Sequence, residues 1–528
     1  MAWENAQVPA AAQAETPDAA VRSACARVEQ GAAWRWHTVF WPCATLAAWG
    51  LFGSAWRLAS EGVGLLGVTN EVPWGWDIVQ FVFWIGIGHA GTLISSVLLL
   101  THQGWRTSIA RMAELMTLCA VACAALFPTV HVGRIWMTWL ISPAPVASGV
   151  WPDMGSALFW DVLAVGTYFL LSLLYWWIGM IPDCAAMRDG CRPPQLRRFY
   201  AWAACGWRGT KGQWAAYRRA SLSLALTLAP LVVTVHSVVS FDFATTVKPG
   251  WHETMFPPFF VAGAILSGMA MVQLLSSGGR DESVRRAQPM LARYVLGFSW
   301  VMLFFYGLET VSAFLEGGTP CALMEARLFG PRAWWFWAMI AGNVLAPQLY
   351  WIKRWRSRRT VIVGVSLCVL AGMWWERAVI VVGSSLHSMI PGREHAYVPT
   401  SVDAAMLAGS AGLFAALFLL GIRRMPPEAE HPKRMLVKRP RASVPAWWAL
   451  GGFAGGVALA ALWAWGTQEA PTSAVVQGYL PGTRWFALVP ALFVSGLLGS
   501  GLMSAAGFFL SARLPRWYDP AREGESGP

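Results

Sequence analysis

About twelve apolar stretches, each long enough to cross a bilayer, follow one another from residue 38 to residue 511 with short polar loops between them. A helix rises about 1.5 Å per residue, so crossing about 30 Å of hydrocarbon takes roughly 20 mostly apolar residues. The stretches fall at 38–56, 77–100, 112–132, 158–181, 221–241, 256–275, 291–314, 333–352, 360–384, 402–422, 446–466 and 485–511. In lipid each backbone N–H and C=O must find its partner inside the segment, and helices of this length achieve that. The expected fold is therefore all-α and polytopic. The charged share of 13% is about half that of a soluble domain.

The loops alternate in charge. One set holds dense clusters, Arg188 to Arg219, Arg280 to Arg293, Lys353 to Arg359 and Arg423 to Arg441. The other set holds scattered cations: Arg57, Arg134, Lys248, Arg327 with Arg332, Arg393 and Arg484. Excess Lys and Arg marks cytoplasmic loops. Both termini are then expected in the cytoplasm, with the chain in a bacterial inner membrane. The net charge of +12 is accounted for by this topology, and no basic–aromatic motif for nucleic acid is present. Many of the 34 Trp residues, Trp74, Trp76, Trp136, Trp139, Trp334 and Trp448 among them, sit near span ends, as amphipathic rings at headgroup level do. The nine Cys are scattered, with no C-x-x-C-H and no iron–sulfur spacing, so neither covalent haem nor a cluster is expected on this chain. The stretch before His37 lacks the apolar core of a signal peptide, so the first span is expected to be retained.

Four regions follow: a cytoplasmic N-terminal segment (1–37), a ten-helix membrane domain (38–425), a basic Pro-rich linker (426–445), and a two-helix hairpin with its tail (446–528). The hairpin holds Gly451, Gly452, Gly455 and Gly456 against Gly496, Gly499 and Gly501, spacing that permits close helix packing.

Ionisable residues inside spans are costly and are functional hypotheses by default. The alternating topology puts most of them toward the outer face. His131 ends the third span, Asp161 starts the fourth, and Asp242 ends the fifth after His236; Asp77 starts the second, with His89 deeper in it. Tyr306 with Glu309, and Glu376 with Arg377, lie in the outer halves of the seventh and ninth. A His and a carboxyl at one depth suit a head group that must lose protons, because imidazole titrates near neutral pH and a buried carboxyl can be shifted there. Each residue also has a plainer explanation. His131 can be an interfacial side chain beside Arg134, Asp161 a helix-end acid, and Glu376 a structural partner of Arg377. His102 and Glu114 read as boundary residues at the cytoplasmic edge.

Several blocks resemble one family. They run Asn70-Glu71-Val72-Pro73-Trp74-Gly75-Trp76-Asp77, then Gly86-Ile87-Gly88-His89-Ala90-Gly91-Thr92, and Phe127-Pro128-Thr129-Val130-His131-Val132-Gly133-Arg134. Trp105-Arg106-Thr107-Ser108, Trp160-Asp161, His236-Ser237-Val238-Val239-Ser240-Phe241-Asp242, Pro249-Gly250-Trp251-His252 and Gly372-Met373-Trp374-Trp375-Glu376-Arg377 continue the match. Over roughly residues 35–425 the chain is similar to the NrfD/PsrC family of quinone-interacting membrane subunits, and within it to the ActC subunits of alternative complex III. The hairpin, with Gly478-Tyr479 and Leu514-Pro515-Arg516-Trp517-Tyr518-Asp519-Pro520, resembles the membrane part of ActD.

The resemblance implies two four-helix bundles without haem, plus peripheral helices. It implies a site for menaquinol or ubiquinol near the periplasmic face, formed by His131 and Asp161 as proton acceptors with Arg134 and Asp242 beside them. His89, His236, Glu309, Glu376 and Arg377 would form a proton path. Implied partners are a periplasmic iron–sulfur protein, a second NrfD-like membrane subunit, the c-type cytochromes of the complex (cytochrome c subunits) and lipid. Competing expectations are a quinone-reducing subunit of a related oxidoreductase, a secondary transporter with buried carboxylates, a b-type cytochrome using His89 and His236 as ligands, and an anchor subunit without a site.

Overall fold

Apolar runs broken only by short loops leave the chain little choice but to bundle its helices side by side. The computed structural model describes residues 17–30, 34–101, 109–141, 157–246, 248–251, 253, 255–279, 282–388, 395–426, 444–466 and 484–514. Most of the segment 1–37, the linker 426–445, the blocks at 105–108, 478–479 and 515–520, and His102, His252, Arg280 and Arg393 lie partly or wholly outside them.

Among the described residues the architecture is all-helical. A short helix, α1 (Pro17–Glu29), precedes α2, where Trp34–Ala47, a π turn (Ala48–Gly53) and Ser54–Glu61 run on without a break. Then come α3 (Trp76–Leu100), α4 (Ala110–His131), α5 (Ala157–Gly190), α6 (Pro194–Ala203), α7 (Lys211–Ala244) and α8 (Phe256–Ser276). They are followed by α9 (Glu282–Glu316), α10 (Gly318–Phe329), and α11 over 333–351 with a π turn at Ala341–Leu345. Last are α12 (Arg359–Gly383, ending in a π turn, Val379–Gly383), α13 (Ser401–Arg424), α14 (Val444–Gly466) and α15 (Arg484–Ala512).

Nine described helices are by themselves long and apolar enough to cross a membrane, against about twelve expected. The remaining three apolar stretches are helical as well. Those at 38–56 and 333–352 lie in α2 and α11, each interrupted by a π turn, and that at 446–466 lies in α14, whose shorter apolar piece is Trp448–Leu459. Several helices outrun their apolar windows. The start of α7 is set by a capping box, in which Thr210 Oγ1 accepts from Gln213 N–H and Gln213 Oε1 accepts from Thr210 N–H. That box is a polar signal, so α7 begins ten residues before the apolar run at 221.

The spans close into two four-membered rings. In the first, α3 packs on α4 and α7, and α5 packs on α4 and α7. In the second, α8 packs on α9 and α12, and α11 packs on α9 and α12. Helix α8 also lies along α3 and α7 and joins the two bundles. Small residues make these approaches possible. A Cβ on Gly91 would stand 2.1 Å from Ala113 O across the α3–α4 seam, and one on Gly268 would stand 2.1 Å from Ala90 Cβ across α8–α3. Peripherally, α2 pairs with α13, and the hairpin α14–α15 lies against α7 and α5. Within the hairpin Gly452 and Gly456 face Gly499 and Ser495, whereas Gly451 and Gly455 face open space.

Candidate functional site

Successive spans run in opposite directions, so the start of α3, the end of α4, the start of α5 and the end of α7 meet at one end of the first bundle. It is the end poor in Lys and Arg. Asp77 is in the first turn of α3 and its side chain is fully buried, while His131 at the end of α4 keeps 15% exposure. His131 Nδ1 and Asp77 Oδ2 lie 2.6 Å apart. A carboxylate only accepts, so in the neutral imidazole this contact places the proton on Nδ1 and leaves Nε2 as the acceptor. Asp161 on α5 and Asp242 on α7 form a second pair, buried and close enough to interact electrostatically. Apart from the contact between the two carboxyls, neither Asp161 oxygen nor Asp242 Oδ1 has a hydrogen-bond partner among the described residues, and Asp77 Oδ1 has none there either. Buried oxygens in that condition are expensive unless a donor reaches them. The residues thus fall into two pairs, His131 with Asp77 and Asp161 with Asp242. Arg134 is exposed past the end of α4.

The first pair is braced from a distant part of the chain. Trp76 N–H donates to Tyr397 Oη at 3.0 Å, and Tyr397 O–H donates to Asp403 Oδ2 at 3.2 Å. Asp403 is held by the N-terminal capping box of α13, accepting from Thr400 N–H at 2.9 Å. Gly75 allows this: a Cβ there would sit 2.8 Å from the Tyr397 hydroxyl. Burial, and then the charge of Asp403, push the Tyr397 hydroxyl above the ordinary tyrosine range, so it stays a donor. Lys248, in the α7–α8 loop, donates to Glu71 O at 3.2 Å and Ser385 Oγ at 2.8 Å and lies over the Trp251 ring. These contacts tie the loops of both bundles together at this end.

Deeper in the first bundle, His89 and His236 meet Nδ1 to Nδ1 at 3.1 Å, with His89 stacked on Tyr168. Two ligands on opposite sides of one iron would stand farther apart, so this geometry is a hydrogen bond between complementary tautomers. Both Nε2 atoms are buried without partners among the described residues. Toward the basic-loop end, Tyr168 and Thr117 donate to Gly88 O, Thr92 and Ser172 share a hydrogen bond, and Ser95 contacts both Tyr175 and Glu114. The line ends at the Arg111–Asp183 ion pair. Glu114, expected as an ordinary boundary residue, is buried in this line.

The second bundle has its own polar centre. Tyr306 O–H donates to Glu376 Oε2, Asn343 Nδ2 donates to Tyr306 Oη at 2.8 Å, and Arg377 lies 2.7 Å from Glu376 Oε1. The π turn of α11 contains Asn343 and that of α12 begins two residues after Arg377, a placement common at functional sites. Arg377 lies over the Phe260 ring and within electrostatic reach of His236, which links the two bundles. Glu309 is separate: Arg327 holds it at 2.6 Å and also donates to Ser384. Sequence reasoning did not anticipate the roles of Asp77, Arg327, Asn343, Tyr397 and Asp403. Of these Asp77 and Asp403 carried a signal, each as an acid opening a span.

Comparison with known proteins adds three findings. The family model described as polysulphide reductase, NrfD, matches residues 64–388, more than half of the chain. The chain is similar to a putative dimethyl sulfoxide reductase membrane subunit of Halobacterium salinarum, 25% identical over 421 residues that cover 74% of this chain and 91% of that protein. It is also similar to a selenate reductase subunit of Mesobacillus selenatarsenatis, 21% identical over 396 residues, 70% of this chain and 89% of the relative.

Proposed function

This chain belongs to the polysulphide reductase NrfD family, and we propose that it is the membrane subunit that takes electrons from quinol in a multi-subunit oxidoreductase. One observation carries the reading. At one end of the first bundle an imidazole oriented by Asp77 shares the site with a buried carboxyl pair whose oxygens have, apart from each other, no hydrogen-bond partner recorded among the described residues. A quinol has two hydroxyls, and its oxidation to quinone releases two electrons and two protons. In this reading His131 Nε2 accepts one proton and Asp161, with Asp242 beside it, accepts the other. Arg134 stands at the rim. The electrons leave to an iron–sulfur protein docked over this end, since the chain has no Cys spacing for a cluster of its own.

The relatives named as reductase subunits favour the quinol-oxidising direction, because a complex that reduces an external acceptor needs a donor in the membrane. The residue blocks favour alternative complex III, with a second NrfD-like subunit, c-type cytochromes and the 446–528 hairpin as a fused ActD-like element. A complex reducing an acceptor such as those in the relatives' names is the second reading of the same site. In both, the sparsely charged end is periplasmic and the termini are cytoplasmic in a bacterial inner membrane. The His236–His89 pair, continued by Tyr168, Ser95 and Glu114, is the route we assign to protons crossing the first bundle. Glu376 and Arg377 couple the second bundle to it, and Glu309 lies at the route's outer edge.

The test is His131→Ala and Asp161→Asn in the assembled complex, with quinol-dependent electron transfer as readout. Loss of a positioned proton acceptor costs roughly 10²–10⁴-fold in rate, and near-normal activity in both variants rejects the site.

A further inference from the structure

We propose that the cleft between the first bundle and the C-terminal hairpin holds the phosphate headgroup of an anionic phospholipid on the basic-loop side of the membrane. Helices α7, α14 and α15 border a shallow cleft, partly open at the surface, lined by Arg219, Ala220, Trp448, Gly507 and Ser511. These residues come from the first turns of α7, the start of α14 and the last turns of α15. All three of those ends lie where the basic loops are, so the cleft is at headgroup depth, remote from the carboxylates around Asp161. The floor is closed by hydroxyls that satisfy one another, Ser223 with Ser504 at 2.7 Å and Thr227 with Ser500 at 3.0 Å. Arg219 has no ion pair and no hydrogen bond among the described residues.

A guanidinium takes a phosphate diester through two parallel hydrogen bonds. The indole of Trp448 is the kind of ring that favours the headgroup layer, and the exposed Ser511 offers a hydroxyl. An acyl chain also has a track. Leu226 is 62% exposed and Val233 44% exposed, and they follow Arg219 along α7 at intervals of seven residues, one stripe running from the cleft into the hydrocarbon. Free phosphate has no use for that stripe, so the occupant we commit to is a lipid. Lys211 and Arg208 near the same end add positive potential, which selects an anionic over a zwitterionic headgroup. The hairpin would then be attached to the bundle partly through lipid.

The experiment uses the full chain, delipidated in neutral detergent and reconstituted into nanodiscs of phosphatidylglycerol in excess phosphatidylcholine. Phosphatidylglycerol retained per chain on extraction is read by native mass spectrometry. Arg219→Gln is expected to lower retention about fivefold, the worth of one cation at a membrane surface. Ala220→Phe, which fills the cleft and leaves Arg219 in place, is expected to lower it similarly. Arg219→Lys keeps most of it, and Arg293→Gln, an exposed cation of the second bundle, keeps all. Unchanged retention in both Arg219→Gln and Ala220→Phe overturns the proposal. So does equal retention of phosphatidylcholine, or displacement by inorganic phosphate as effective as by short-chain phosphatidylglycerol. None of these outcomes bears on quinol oxidation.

Discussion

Replacing Asp77 by Asn tests how the candidate site is organised without touching a residue assigned to accept a proton. Asp77 is fully buried, His131 nearly so, and their contact is 2.6 Å. The carboxylate keeps the His131 proton on Nδ1 and so keeps Nε2 ready for a quinol hydroxyl. An Asn at 77 can turn its amide NH2 toward the ring, and Nδ1 then becomes the acceptor while Nε2 carries the hydrogen. A hydrogen bond to a charged group is worth about 1.5–3 kcal/mol. Lost from the transition state, that is roughly a 10- to 150-fold fall in kcat/KM for quinol. The assay is steady-state quinol-dependent reduction of the complex's acceptor across a pH series, with complex content and thermal stability measured on the same preparations. A fully assembled Asp77→Asn complex turning over at the wild-type rate would refute the orienting role. So would a loss explained entirely by failed assembly.

Three further outcomes follow from the packing. Glu376→Gln leaves Arg377, which is 2% exposed, without its carboxylate and should cost about 3–5 kcal/mol, while adding Arg377→Met should restore most of it; thermal unfolding of the purified chain reads both. Gly91→Ala, whose Cβ would meet Ala113 O at 2.1 Å and Thr117 Oγ1 at 2.4 Å, should destabilise the α3–α4 seam by about 1–3 kcal/mol, whereas Gly166→Ala, facing open space, should not. Burial lowers the Lys248 ammonium below its ordinary 10.5. The unfolded chain therefore holds that proton over a range where the folded chain has released it, and stability rises with pH in the alkaline window just below 10.5. Lys248→Met should flatten that rise in pH-dependent melting curves.

The spans were legible because a bilayer demands apolar runs of a fixed length, and the loop charges then ordered their directions. The same logic assigned His131, Asp161 and Asp242 to ends of neighbouring spans. It could not say which helix faces meet. Whether His131 faces Asp77 or Asp161 depends on the rotation of α3, α4 and α5 about their axes, which a low-contrast apolar pattern does not encode. Tyr397 reaches Trp76 across 321 positions of chain, and Arg327 pairs with Glu309 from a short helix that reads as a loop. The π turns that contain Asn343 and follow Arg377 leave no mark in hydropathy. Glu114 does lie near the basic-loop end of α4, but hydropathy does not encode that its side chain turns inward to Ser95.

The central claim is that quinol meets this chain at the sparsely charged end of the first bundle. Photolabelling the assembled complex with an azido-quinone, followed by peptide mapping, examines it directly. Label should fall on peptides containing Phe127–His131, Trp160–Asp161 or Val238–Asp242 and should be competed away by unlabelled quinol. Competed label confined to the second bundle, to the hairpin, or to the basic-loop end of α3–α7 would contradict the account.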